Sequence, residues 1–231
     1  MVYGKKKTSK SRKTMSKKNY KKPSMAIQRA VKQVLHKAVE TKATITSITE
    51  SAINTLISPV ASNSITLNSL ANGTGQQNRV GVKVNARYMD IRGCVIFPTD
   101  APAIYTKIFL LMHNQEEDPI NDLLETNAAV FGAAGNDISA TYARVNTTKY
   151  RVLATRMIKT GNTAGLQQTM PFKINCSLRN QVITFENNSG NTTPSNKRIT
   201  IHYYSRRADN DDTLGTNGEI NWNAKFYFQD M

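Results

Sequence analysis

Residues 220–229 read Ile220-Asn221-Trp222-Asn223-Ala224-Lys225-Phe226-Tyr227-Phe228-Gln229. Ile220, Trp222, Ala224, Phe226 and Phe228 fall on the even positions. Asn221, Asn223, Lys225, Tyr227 and Gln229 fall on the odd ones. Side chains of an extended chain point alternately to its two sides, so this stretch is a strand with one apolar and one polar face. A face carrying Trp and two Phe must be covered by a second layer, which makes a packed β-sheet the starting point for the rest of the chain.

The same texture extends backwards to about residue 80. Ile199, Ile201 and Tyr203 alternate with Thr200, His202 and Tyr204. Val80, Val82 and Val84 alternate on even positions, whereas Met89, Ile91, Val95 and Phe97 are on odd ones. The change of parity near Tyr88 predicts a β-bulge, which re-aims a strand without ending it. Residues 105–113 contain the unbroken apolar run Ile108-Phe109-Leu110-Leu111-Met112, as expected of a strand covered on both faces. Further strands are expected over 150–158, 172–178 and 182–185, and short ones around 43–48 and 64–67. The connectors are turn-like: 98–102 is short, and 187–196 and 208–218 are polar. The long connector 115–147 contains Asp118-Pro119, an N-cap followed by proline at the first helical position, which predicts a brief helix through Leu124. About eight strands, few helices and no internal repeat predict a single all-β antiparallel sandwich over residues 40–231, a length that such folds accommodate as one domain.

The charge is distributed quite differently. The 231-residue chain has a net charge of +15. Thirteen basic residues precede the first acidic one: Lys5, Lys6, Lys7, Lys10, Arg12, Lys13, Lys17, Lys18, Lys21, Lys22, Arg29, Lys32 and Lys37. Everything after Lys37 therefore carries only +2. Residues 1–39 form a basic arm on a nearly neutral body, and such an arm is built to meet a polyanion. Residues 1–22 are Lys/Ser/Thr-rich with almost no hydrophobes, so they cannot offset their ordering entropy and are expected to be disordered when free. Behind Pro23, Ser24 is an N-cap candidate. Ile27, Ala30, Val31, Val34, Leu35 and Ala38 then recur at helical spacing, away from Arg29, Lys32, His36 and Lys37. This is a short basic amphipathic helix that either packs on the body or folds against nucleic acid.

Lysine predominates over arginine in the arm, with Arg12 alone in its first stretch, which suits point-charge neutralisation of phosphates better than bidentate base reading. Tyr3 and Tyr20 are its only aromatics, too few for a stacking platform. Binding with little sequence preference follows. Import into the nucleus can use the same lysines. Arg79, Lys83, Arg87 and Arg92 lie along the first core strand and either reach nucleic acid or are solvated or interface charges. Arg206 and Arg207, near Asp209, Asp211 and Asp212, are expected in an exposed charged turn.

Other functions find little support. The three histidines, His36, His113 and His202, stand isolated, with no carboxylate or cysteine at zinc-ligand spacing. No phosphate-cradling Gly-rich loop and no nucleophile elbow is present. Glu116-Glu117-Asp118 suits an acidic solvated loop better than a cation site. No enzyme, no cofactor and no metal is expected. No apolar run reaches the roughly 20 residues of a membrane span, so no membrane insertion is expected. With no apolar h-region behind the charged start, folding in cytosol or nucleus is expected, and Cys94 and Cys176 are expected to be buried thiols.

Several segments in order resemble the capsid proteins of circular Rep-encoding single-stranded DNA viruses, the circovirus-like group. They are the Lys/Arg-rich start, then Glu40-Thr41-Lys42, then Gly73-Thr74-Gly75-Gln76-Gln77-Asn78-Arg79-Val80-Gly81, leading through Lys83 to Asp90-Ile91-Arg92-Gly93. Tyr150-Arg151-Val152-Leu153 and the closing Phe226-Tyr227-Phe228-Gln229-Asp230 complete the set. The resemblance implies an eight-stranded jelly roll that forms a homo-oligomeric icosahedral shell around circular single-stranded DNA. It also implies an arm that points to the genome and is read by the host nuclear import machinery, and long loops on the outer surface, where a host receptor that the sequence does not name would be met. Virion and, during assembly, host nucleus are the implied locations. Two other readings stay open: the coat protein of a small single-stranded RNA virus, and a non-viral nucleic-acid-binding protein with a basic tail.

Overall fold

The computed structural model describes residues 24–38, 40–53, 64–99, 102–114, 145, 147, 150–161, 165–186, 190–208 and 218–231. The chain divides after Ala38 into two units. The described residues of the first form a helix, α1 (Met25–Ala38). Ser24 caps it: its carbonyl accepts from Gln28 N at 3.0 Å and its hydroxyl from Ile27 N at 3.4 Å, which satisfies donors that the first turn cannot.

Among the described residues, the second unit contains eight strands: β1 (Lys42–Ala52), β2 (Ser64–Thr66), β3 (Lys83–Phe97), β4 (Ile104–His113), β5 (Tyr150–Lys159), β6 (Gln168–Thr184), β7 (Ile199–Arg207) and β8 (Glu219–Asp230). They form two four-stranded antiparallel sheets, β1-β8-β3-β6 and β2-β7-β4-β5. Odd and even crossings interleave so that β1 lies beside β8 and β2 beside β7. This order is that of a jelly roll, so the sandwich expected from the alternation is present.

The alternation sets what each sheet buries. Ile220, Trp222, Ala224, Phe226 and Phe228 of β8 are all buried, and they meet Val84, Met89, Ile91, Val95 and Phe97 of β3 in one core. The second sheet closes that core with Ile104, Ile108, Leu110, Met112, Ile199, Ile201 and Tyr203. Its other face is covered as well: Phe109, Leu111, Val145, Tyr150 and Tyr204 form a separate apolar cluster. That second cluster is why the run 108–112 has no polar alternation. On the other face of the first sheet, no second apolar cluster forms among the described residues, and its outward positions are mostly polar, with Ile45 and Tyr88 exposed.

Several details differ from the sequence-based expectations. The bulge is present, with a register shift between Ala86 and Tyr88. The strands expected over 172–178 and 182–185 are one strand, β6, because Arg179 and Asn180 take left-handed conformations (φ 51° and 57°) in a bulge opposite Arg87 that bends the ladder without breaking it. The first core strand starts at Lys83, leaving Val80 48% exposed. Cys94 and Cys176 are free thiols as expected but half-buried: Cys94 lies on the outward side of β3, and Cys176, opposite Met89, packs against the margin of the core. The helix expected after Asp118 lies outside the described residues. Among the described residues, no helix is long and apolar enough to cross a membrane.

Candidate nucleic-acid interface

The ten arm cations Lys5, Lys6, Lys7, Lys10, Arg12, Lys13, Lys17, Lys18, Lys21 and Lys22 lie outside the described residues. Arg29, Lys32 and Lys37 are on α1, and Arg29 is exposed. The apolar stripe of the helix is exposed too, at Met25, Ile27 and Val31. A helix of 14 residues is marginal in water on its own, so its stability depends on what that stripe meets.

The cations of the first core strand separate into two kinds. Arg79 was expected at a surface, but it is 1% exposed. Its guanidinium donates to four backbone carbonyls: Leu70 O (3.4 Å), Gly81 O, Glu186 O (3.4 Å) and Asn191 O (3.2 Å). It also lies 4.6 Å from the centre of the Phe185 ring. Burial lowers its pKa from the ordinary value, and the four carbonyl dipoles together with the ring face stabilise the charge that remains. Arg79 is thus a clasp between two loops, committed to the fold. The other three belong to the β1-β8-β3-β6 sheet. Lys83 is exposed. Arg87 donates to Asn180 Oδ1 at 2.7 Å. Arg92 is exposed and holds Asp90 Oδ2 through Nη2 and Nε at 3.0 and 3.1 Å.

Arg206 is a second correction. It is 1% exposed rather than part of an open charged turn, and Arg207 is half-buried, because β7 continues through both. The histidines supply a third. His113 and His202 are joined through one hydroxyl, Thr200 Oγ1, at 3.0 Å from His113 Nε2 and 2.9 Å from His202 Nε2. The Tyr150 ring meets His113 edge-on at 5.0 Å. Burial, then the charge of Arg198, lowers His113 to about 4. Burial, then His113, lowers His202 to about 3. Both imidazoles are therefore neutral near pH 7, packed in the outer cluster of the second sheet. Sequence parity already put Thr200 and His202 on one face. What it lacked was the β4–β7 register, which sets Leu111 opposite Thr200 and Phe109 opposite His202. Among the described residues, no group of three or more His, Cys, Asp or Glu side chains is placed to hold a metal ion.

No protein-family model matches the chain, and no curated protein matches it. The solved structures similar to it include two from viruses. A chain from the cryo-EM structure of Mud crab tombus-like virus aligns over 99% of this chain and 93% of its own, with 10% identity and a TM-score of 0.35. A chain from the structure of the infectious bursal disease virus Gx strain aligns over 82% of this chain and 40% of its own, with 12% identity and a TM-score of 0.25. Both likenesses are loose and add nothing to what the strand order shows by itself.

Proposed function

We propose that this chain is the coat subunit of a small icosahedral virus. Its jelly roll tiles with copies of itself in a non-enzymatic, structural role, and its basic arm packages a single-stranded DNA genome. The observation that supports this reading is the separation of charge from fold: thirteen cations before residue 38, and a net +2 on everything after. A chromatin or ribosomal protein normally spreads positive charge over its folded body. A body that must pack against itself in many copies avoids self-repulsion instead. Flexible lysines neutralise phosphates without needing a sequence or a register. The same lysines serve as a nuclear import signal, which puts assembly in the host nucleus. The genome assignment rests on the resemblance to circovirus-like capsid proteins.

Electron microscopy of the purified protein tests the reading: uniform shells are expected, and monomers under every salt and nucleic-acid condition tried would overturn it. Nuclease treatment of the released cargo tests the genome type. Degradation by DNase is expected, and degradation by RNase alone would replace DNA by RNA.

A further inference from the structure

We propose that the open face of the β1-β8-β3-β6 sheet is a base-stacking platform for single-stranded nucleic acid, distinct from the arm. Tyr88 on β3 and Tyr227 on β8 are directly opposite each other in the ladder. Their rings stack with centres 4.0 Å apart and planes within 15°. A cross-strand aromatic pair stabilises a sheet by its own packing. Here Tyr88 is 42% exposed, and the pair stands between two adjoining hollows. One hollow, of about 510 Å³, is walled by Tyr88 with Arg87, Arg179 and Asn180. The other, of about 360 Å³, is lined by Tyr227, Lys225 and Glu40 and by Lys42, whose ammonium is ion-paired with Asp230 at 2.8 Å.

Cations flank the rings on both sides. The bulge before Tyr88 turns Arg87 to the same hollow as the ring. Its guanidinium is fixed there by Asn180 Oδ1, and Arg179 beside it holds the left-handed backbone of the opposing bulge. Lys225 Nζ sits 5.0 Å from the centre of the Tyr227 ring. Lys173 and Arg92 are paired across β6 and β3 further along the same face. The nearby carboxylate on that face, Asp90, is already held by Arg92. The exposed Tyr88 ring, backed by the half-buried Tyr227 and flanked by cations, fits a strand whose leading base lies on that ring and whose phosphates meet guanidinium and ammonium groups. Because every base has a π-face, the platform tolerates any sequence. The arm grips phosphates alone, whereas this face distinguishes a strand with bases from one without.

The test uses the full chain and two oligonucleotides of equal length, one carrying 2-aminopurine among its bases and one abasic. Binding is measured in salt high enough to release the arm's phosphate contacts. Wild-type protein is expected to quench 2-aminopurine and to prefer the base-bearing strand about tenfold or more per stacked base. Tyr88→Leu/Tyr227→Leu is expected to bring that preference close to one, while Tyr88→Phe/Tyr227→Phe keeps it. Equal binding of the two strands by wild type would overturn the proposal, as would a preference that survives in a Leu variant of unchanged melting temperature. Should the Leu variant not fold, photocross-linking of a 5-bromouracil strand to wild type decides: adducts on the peptides containing Tyr88 or Tyr227 support the platform, and adducts confined to Tyr3 and Tyr20 of the arm overturn it. Shell formation and the salt dependence of the arm are read separately, so loss of the platform leaves the coat-subunit reading intact.

Discussion

At the scale of the residue, Arg79 is the side chain whose sequence context says least about its role. It sits in a Gly/Asn/Gln-rich loop that predicts a surface, yet its partners Glu186 and Asn191 come from more than a hundred positions further on. Charge is normally excluded from interiors, and a buried arginine is tolerated only where its donors are used. Arg79→Ala strips a donor from four carbonyls and opens a void over Phe185. A loss of about 3–5 kcal/mol is expected from chemical denaturation, against about 0.5 kcal/mol for a surface arginine. Arg79→Lys keeps the charge without the fork and is expected to fall between the two. The histidine pair gives a prediction in pH. Both folded pKa values, about 4 and about 3, lie below the unfolded value. The unfolded chain therefore takes up protons first as pH falls. The stability that depends on neutral imidazoles is fully present above about pH 6.5 and is lost progressively on the way down, to about 4 for His113 and about 3 for His202. Each histidine contributes a slope of up to about 1.4 kcal/mol per pH unit in that window. Melting curves between about pH 6.5 and 5, above most carboxylate titration, should show the slope in wild type and its flattening in His113→Gln/His202→Gln. Parallel curves for the two proteins would mean that the imidazoles are not held neutral.

At the scale of the element, β8 and β3 show why pattern was so informative. Every inward position expected on β8 is buried, because a strand in the middle of a sheet, between β1 and β3, has no freedom to slip register without exposing Trp222 and two Phe. Trp222→Ala or Phe226→Ala is expected to cost about 3–5 kcal/mol, whereas Asn223→Thr on the outward face should stay within about 0.5 kcal/mol. Gly93 carries a further prediction. It lies between Trp222 and Phe172 in the paired strands, and an added Cβ would come within 2.2 Å of Asn221 O and 2.8 Å of the Phe172 ring. The ring covers the glycine in place of a side chain. Gly93→Ala must therefore push two strands apart, with an expected loss of about 1–3 kcal/mol or more in thermal melts. Bulges were legible only where parity changed along one strand, as at Tyr88. The bulge of β6 was not, because the residues on either side of Arg179 and Asn180 look like two short strands separated by a polar turn.

At the scale of the molecule, local period gave the strands, but their partition into two sheets depends on pairings such as β1 with β8, which come from opposite ends of the sandwich's sequence. Alternation along one segment carries no information about which distant segment lies beside it, so the jelly-roll order had to come from resemblance and then from the structure. The interface was legible in the opposite proportion. The arm is a matter of composition and could be read at once, whereas the Tyr88–Tyr227 platform exists only through the β3–β8 register. The two regions predict different binding behaviour for the whole chain. If about ten arm cations meet single-stranded phosphates, log affinity should fall against log salt with a slope of roughly −7, about ten-thousand-fold between roughly 50 and 200 mM. Stacking depends far less on salt, so the platform's share should persist as the arm's share disappears. Deleting residues 1–22 removes ten of the thirteen cations and, from their composition, nothing that a core could use. The truncated chain is expected to melt as cooperatively as the full one, to bind strands with a much shallower salt slope, and to lose most of its cargo. A truncated chain with the full slope would place the phosphate contacts on the sandwich, and one that no longer melts cooperatively would make the arm part of the fold.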